Sequence, residues 1–174
     1  MIPPVIETAR LRLRGPGPED LPAWTAFLGS PRARHVGGPI PADRAWRIFA
    51  SVIGHWTLRG YGSWTLEPGR GGAPLGMVGL WHPAGWPEPE LAYTLWSAEA
   101  EGKGYASEAV SAVLAQIFGP LGWTSVVSFI DPGNARSIRL AERLGARRDP
   151  AAVPPDAAHP DLAYRHLAPV GATA

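Results

Sequence analysis

Gly102 and Gly104 lie between a strand-like run, residues 91–96, and a strongly helical run that begins at Tyr105. Glycines in such a turn let backbone N–H groups point outward, at a helix N-terminus whose dipole favours negative charge. The ligand that suits this turn is a phosphate or a pyrophosphate. A plain connecting turn is the competing interpretation, because glycine is common in any chain.

The two familiar nucleotide-binding motifs do not match this turn. A P-loop has Ser or Thr directly after its Gly-Lys pair, whereas Lys103 is followed by Gly104. A dinucleotide-binding turn has a third glycine at the position of Ser107. We therefore expect a phosphate-bearing ligand outside those two classes.

Other kinds of chemistry find little support in the chain. It has no cysteine, which excludes disulfides, thiolate metal sites and cysteine nucleophiles. No cluster of His, Asp and Glu has metal-ligand spacing and no Gly-x-Ser-x-Gly elbow is present, so we expect no metal site and no serine nucleophile of that type. A net charge of +1 with scattered arginines argues against nucleic-acid binding, which normally uses a dense basic face.

Length and composition indicate a globular protein of one domain. The chain has 174 residues, of which 45% are hydrophobic and 18% are charged. No run approaches the roughly 18 apolar residues of a membrane span, and the first residues lack the basic and apolar regions of an export signal. We expect a cytoplasmic protein with no membrane partner.

The pattern of apolar residues predicts a mixed α/β sheet with helices on its faces. The predicted helices span about 19–28, 42–58, 105–118 and 135–144, and the predicted strands about 10–14, 61–67, 75–81, 90–96, 124–130 and 162–167. Residues 29–41 are rich in Gly and Pro and are predicted to be a loop. In the second helix Trp46, Phe49, Ile53 and Trp56 recur at helical spacing, which predicts that they share a face.

Four stretches in order resemble the GNAT superfamily of N-acetyltransferases, and in particular the branch that acetylates the N-termini of ribosomal proteins. They are residues 7–14 followed by Glu19 and Asp20, residues 90–93, residues 102–109 and residues 134–145. The similarity runs over most of the chain. It implies one acetyltransferase domain over residues 7–168, with flexible termini at 1–6 and 169–174.

The resemblance implies a seven-stranded, mostly antiparallel mixed sheet with about four helices, in which the fourth and fifth strands splay apart. Acetyl-CoA is then the cosubstrate, with its pantetheine arm in that gap and its pyrophosphate on the glycine turn. The residues implied to bind it are Leu95, Trp96, Gly102, Lys103, Gly104, Tyr105, Ala106, Ser107 and Asn134. Two of these have ordinary alternatives, because Lys103 could be merely solvated and Asn134 could be a helix N-cap.

Acetyl transfer to an amine needs a proton acceptor, a polarised thioester carbonyl and a stabilised thiolate. The missing cysteine and the missing nucleophile elbow favour direct attack by the amine, with no covalent enzyme intermediate. Glu90 is the expected base. Ser137 is the expected donor to the leaving thiolate, because Ala141 stands where many family members carry a tyrosine. The alternatives are a solvated carboxylate at the strand edge and an ordinary polar residue in a helix's first turn.

The acceptor is less specified than the donor. Four residues are expected to contact it: His35, Trp81, Trp86 and Tyr93. The acceptor is a protein N-terminus or a small amine such as an antibiotic, a polyamine or an amino acid. The alternative function is a catalytically inactive CoA-binding sensor or interaction module, which the alanine at position 141 favours. The sequence leaves the oligomeric state open, and a homodimer is one candidate assembly because dimers are common among similar proteins.

Overall fold

The computed structural model describes residues 2–156, 158 and 161–169. The α-helices of this part are α1 (Leu21–Leu28), α2 (Ala42–Arg59), α3 (Tyr105–Phe118) and α4 (Ala135–Arg143). The strands are β1 (Ile6–Glu7), β2 (Leu11–Arg14), β3 (Ser63–Pro68), β4 (Gly76–Trp81), β5 (Glu90–Leu95), β6 (Ser125–Ile130), β7 (Arg147–Arg148) and β8 (Leu162–Leu167). Short 3₁₀ helices span Pro18–Asp20, Pro31–Val36 and Ala98–Ala100.

All strands join one sheet in the order β1-β2-β3-β4-β5-β6-β8-β7. Every neighbouring pair is antiparallel except β5 and β6, which are parallel. This confirms the mixed, mostly antiparallel sheet. The described part has eight strands rather than the expected seven, because β1 and β7 contain only two residues each and are too short for a residue pattern to reveal.

The two faces of the sheet carry different helices. Met77 and Val78 are adjacent on β4, so their side chains point to opposite faces. Met77 packs in an apolar cluster with residues of α1 and α2. Val78 packs in the main core with Val110 and Val113 of α3, both fully buried. The helices α1 and α2 therefore cover one face of the sheet, and α3 covers the other.

Two details of the α1–α2 layer differ from the sequence-based expectation. Residues 29–41 are not wholly irregular, because Ser30 accepts a hydrogen bond from the N–H of Arg32 at 3.3 Å and begins the 3₁₀ helix Pro31–Val36. In α2 the buried face is centred on Ala45, Phe49, Val52 and Trp56. Trp46 is 58% exposed and Ile53 is 40% exposed, so the predicted shared face is wrong for those two residues.

At the N-terminal boundary, the sheet begins before residue 7. Ile6 pairs with Leu13, and the carbonyl of Pro4 accepts a hydrogen bond from the Trp64 indole at 2.7 Å. Residues 1 and 170–174 of the predicted flexible termini lie outside the described residues. Over the described ranges, no helix is both long and apolar enough to cross a membrane.

Candidate active site

The parallel strands β5 and β6 separate immediately after they meet. Their pairing register consists of Glu90 opposite Val127. Beyond that point the strands diverge, as predicted for the fourth and fifth strands. A cleft of about 1270 Å³ lies there, bounded by β5, the N-terminal turn of α3, helix α4 and the 3₁₀ helix Pro31–Val36.

The backbone of β5 presents hydrogen-bonding groups to this cleft. The N–H of Trp96 donates to the carbonyl of Leu75 at 2.8 Å, on the β4 side. Backbone groups in an antiparallel pair alternate in direction along the strand, so those of Tyr93 and Leu95 face away from β4. The carbonyl of Leu91 shows the same direction, because it accepts a hydrogen bond from Ser128 of β6 at 2.7 Å. Tyr93 and Leu95 therefore offer their peptide groups to a ligand in the gap.

The glycine turn also opens to the cleft. Gly102 and Gly104 have φ angles of +73° and +80°, a region that disfavours any side chain, and both line the cleft. The first N–H of α3 with an acceptor in the fold is that of Glu108, which bonds the Gly104 carbonyl at 3.0 Å. Over the described residues, no acceptor within the chain uses the N–H groups of residues 102–107. A row of free amides therefore faces a cavity at the N-terminus of a 14-residue helix.

The turn is held in place from β2. Arg10 donates to the carbonyl of Lys103 at 2.7 Å and to the carboxylate of Glu108 at 2.7 Å. Its guanidinium also lies 4.9 Å from the ring centroid of Tyr105. Although burial alone raises the pKa of Glu108, hydrogen bonds from Thr8 and Arg10 bring it below its usual range, so the carboxylate is charged at neutral pH. The carbonyls of the turn are thus anchored while its amides stay free.

Helix α4 adds positive charge on the opposite wall. Arg136, Arg139 and Arg143 lie three and four residues apart on one face of the helix and line the cleft. Among the described residues, Arg139 and Arg143 have no carboxylate partner. At the cleft mouth, the carboxylate of Glu101 bonds Arg136 and also Arg32, the latter at 2.6 Å. This basic wall suits a ligand with several phosphates.

Glu90 lines a smaller pocket of about 70 Å³ that adjoins the point where β5 and β6 meet. Its Oε2 accepts a hydrogen bond from the Trp86 indole at 3.0 Å. Burial raises the pKa of Glu90 to about 7, against opposing hydrogen bonds from Trp86 and from the N–H of Phe129. A carboxyl group with this pKa is ready to exchange a proton near neutral pH.

His35 reaches the same region from the 3₁₀ helix Pro31–Val36. Its Nδ1 lies 2.9 Å from Oδ2 of Asp131, in the loop after β6. The second oxygen of Asp131 accepts the N–H of Gly133 at 2.6 Å. His35 lines both the large cleft and the small pocket that contains Glu90. The carboxylate of Asp131 therefore orients the His35 ring, and the carboxyl group of Glu90 lines the same small pocket.

The start of α4 faces the small pocket as well. The side chain of Asn134 accepts a hydrogen bond from the N–H of Ser137 at 3.2 Å, so Asn134 does act as an N-cap. Asn134 also lines the cleft. The Tyr93 hydroxyl donates to the carbonyl of Ser137 at 3.1 Å, and burial raises the pKa of this phenol. Ala141 is fully buried against Ile130 and Tyr164. The residue at that position therefore does not reach the cleft.

Most of the predicted site residues line the cleft or the small pocket, and four do not. Those that line the cleft or the small pocket are His35, Glu90, Tyr93, Leu95, Gly102, Gly104, Tyr105, Ala106, Ser107, Asn134 and Ser137. Lys103 is exposed and does not line the cleft. Trp96 packs in the α1–α2 cluster, Trp81 stacks on His55 at 5.4 Å between ring centroids, and Trp86 reaches the site through its hydrogen bond to Glu90.

Sequence reasoning missed the basic wall and the partner of His35. The wall had a local signal, because Arg136, Arg139 and Arg143 follow Asn134 at helical spacing. Asp131 had none, since it lies 96 positions from His35 in the chain.

A family model described as an acetyltransferase (GNAT) domain matches residues 10–147. The crystal structure of an acetyltransferase from Agrobacterium tumefaciens str. C58 is 36% identical, covers 95% of each chain and superposes with a TM-score of 0.89. A protein from Bordetella pertussis assigned to the GNAT family is 27% identical over 95% of this chain and 100% of its own, with a TM-score of 0.78. A ribosomal α-N-protein acetyltransferase in complex with coenzyme A has the same fold at 15% identity, with a TM-score of 0.75 over 95% and 98% of the two chains.

Proposed function

The chain belongs to the GNAT acetyltransferase family, and from this premise we propose that it transfers an acetyl group from acetyl-CoA to a primary amine. The acceptor is a protein N-terminus or a small-molecule amine. The transfer proceeds by direct attack in a complex that holds both substrates, because the chain has no cysteine to form a thioester intermediate.

The observation that carries this proposal is the row of free amides at residues 102–107 beside the gap between β5 and β6. A pyrophosphate fits amides at a helix N-terminus, and Arg139 and Arg143 supply counter-charge on the facing wall. The exposed peptide groups of Tyr93 and Leu95 would hold the amides of a pantetheine arm in the gap, as a neighbouring strand does. Acetyl-CoA bound in this way supplies an activated acetyl group.

The chain's own residues then handle the protons. Glu90 titrates near neutral pH and lies where β5 and β6 part, so it can take a proton from an attacking amine. An N–H of β5 that faces the gap can stabilise negative charge on the thioester oxygen. Ser137 lines both cavities and can donate a hydrogen bond to the leaving sulfur, whose conjugate thiol has an ordinary pKa of about 8.5.

The test is thiol release in a defined panel. The purified protein is incubated with acetyl-CoA and with peptides bearing free α-amines, polyamines, amino acids and aminoglycosides, while free thiol and acceptor mass are followed. We expect acetylated amine and CoA in equal amounts with at least one class. Glu90→Gln should lower kcat about a hundredfold and leave acetyl-CoA affinity unchanged, and Asp43→Asn, an exposed carboxylate on α2, should change neither.

A second function is favoured by one observation. Ala141 is buried and inert where many family members carry a tyrosine, which would suit a CoA-binding sensor or interaction module that lacks catalysis. Calorimetry separates the two functions. Tight acetyl-CoA binding together with no thiol release above the uncatalysed rate for every amine would support the sensor and contradict the enzyme.

A further inference from the structure

We propose that His35, oriented by Asp131, is a second proton acceptor in the reaction: its Nε2 atom takes one proton from the acceptor nitrogen and Glu90 takes the other. This inference rests on the acetyl transfer proposed above. It assigns a catalytic role to a residue on the α1–α2 connection, and a positioning role to the residue that follows β6.

The contact with Asp131 fixes the tautomer of His35. The hydrogen bond to His35, followed by that from Gly133, holds the pKa of Asp131 below its usual range. Its carboxylate is therefore ionised at neutral pH and can only accept hydrogen bonds. The proton in the 2.9 Å contact must then sit on Nδ1 of His35. In the neutral ring, this leaves the lone pair on Nε2 as a proton acceptor.

The location of the Nε2 lone pair decides whether it can reach the acceptor amine. His35 lines the large cleft and also the small pocket that holds Glu90. Over the described residues, Nε2 of His35 has no hydrogen-bond partner in the fold, and its Nδ1 is occupied by Asp131. Gly133 lies against the ring, since a Cβ at that position would stand 3.5 Å from the His35 Cε1. The ring is therefore held at Nδ1 and beside Cε1, while Nε2 has no partner and belongs to a residue that lines both cavities.

The acceptor nitrogen must lose two protons during the reaction. An α-amine has an ordinary pKa of about 7.7–8.0 and a lysine-type amine about 10.4, so the acceptor arrives mostly as an ammonium ion at neutral pH. One N–H bond must break before the nitrogen attacks, and a second must break as the amide forms. The carbon–sulfur bond breaks with its electron pair on sulfur, and the thiolate regains one proton. A net proton leaves to solvent, and Glu90 can hold only one of the two at a time.

The charged and titratable groups around His35 are compatible with this role. They come from the elements that border the cavities: Glu90 and Tyr93 of β5, Asp131 after β6, Arg32 and Arg34 of its own 3₁₀ helix, Glu101 and Tyr105 on either side of the glycine turn, and Arg136, Arg139 and Arg143 of α4. Arg32 is engaged by Glu101, as is Arg136. The carboxylate of Asp131 offsets the positive charge that His35 gains when it takes a proton.

The experiment compares His35→Gln, His35→Ala and Asp131→Asn with the wild-type chain, using a peptide with a free α-amine as acceptor. Arg47→Gln is the control, because Arg47 is exposed on α2 and lines neither cavity. At pH 7 we expect kcat to fall about a hundredfold in His35→Gln with unchanged acetyl-CoA affinity. Above about pH 9.5 the amine is already neutral and the deficit should shrink to a few-fold. Added imidazole should restore much of the rate of His35→Ala.

The outcomes are separable. If the wild-type chain releases no thiol with any amine, acetyl transfer itself is refuted and the role of His35 with it. If the wild-type chain is active and His35→Gln matches it at pH 7, or if its deficit is the same at every pH, only the role of His35 is overturned. Asp131→Asn should lower kcat about tenfold or more and leave acetyl-CoA affinity unchanged, because its side chain no longer fixes the tautomer.

Discussion

Trp86 donates its indole N–H to Oε2 of Glu90 across 3.0 Å. The segment 82–89 that carries Trp86 has a second anchor, since both terminal nitrogens of Arg165 bond the carboxylate of Glu88, at 2.8 and 2.9 Å. The anchored segment therefore holds a hydrogen-bond donor against Glu90. Burial raises the pKa of this carboxyl group and the indole partly opposes the rise.

Trp86→Phe should move the pH dependence of the reaction upward. Phenylalanine keeps an apolar ring over Glu90 but removes the donor that favours the ionised form. The pKa of Glu90 should then rise from about 7, by about one unit if the lost bond is an ordinary one to a charged group. The rising limb of kcat against pH reports this pKa. Trp46→Phe, an exposed tryptophan on α2, should leave the limb in place.

Glu90→Gln should change how stability depends on pH. The ordinary pKa of 4.5 is raised to about 7 in the folded chain, so the neutral carboxyl is preferred on folding. Its contribution is complete below pH 4.5 and is lost as pH rises through about 7. The loss amounts to at most about 3 kcal/mol. Denaturant unfolding at about pH 5 and pH 8 should show that the free energy of unfolding of the variant increases relative to that of the wild type as pH rises. The same difference at both pH values would contradict the burial of this group.

Gly102→Asp should weaken acetyl-CoA binding at least about tenfold. The new side chain would project into open space beside the free amides, and its carboxylate would repel the pyrophosphate. Gly122→Asp is the matched control, because Gly122 also has a positive φ, of +65°, and an open side, but does not line the cleft. Both variants should lose similar thermal stability, and calorimetry should separate them by affinity.

Arg139→Ala and Arg143→Ala should each weaken acetyl-CoA binding about threefold to tenfold, because each removes a charge that faces the phosphates. The loss should be smaller at high salt, where charges on an open wall are screened. Arg147→Ala, on the exposed strand β7, is the control. Equal effects at positions 139 and 147 would indicate a general effect of net charge rather than a wall that binds phosphate.

The elements with strong periodicity were predicted well from the sequence. Strand β8 was predicted at its observed bounds, and α3 was predicted through its row of small and branched apolar residues. In α2 the large side chains misled the prediction of the buried face. Trp46 and Ile53 lie one position from Ala45 and Val52, which are the residues that pack inward. Spacing identifies a stripe on a helix, and the neighbouring elements decide which side of that stripe is covered.

The site was predictable where its signal is local. The glycine turn has two glycines with a positive φ, separated by one residue, and the resemblance to a family added Glu90, Asn134 and Ser137. Trp96 illustrates a limit of this reasoning, because only the register with β4 shows that its N–H is already used by Leu75. His35 and Asp131 belong to two parts of the chain that are far apart in sequence, so no local pattern predicts their pairing.

The register of β5 and β6 has a mechanical consequence. Glu90 stands opposite Val127 at the vertex from which the two strands diverge. A molecule that entered the wedge and widened it would act first on this pair of residues, one of which is the proposed base. Occupancy of the gap would then be coupled to the surroundings of Glu90 without movement of a domain.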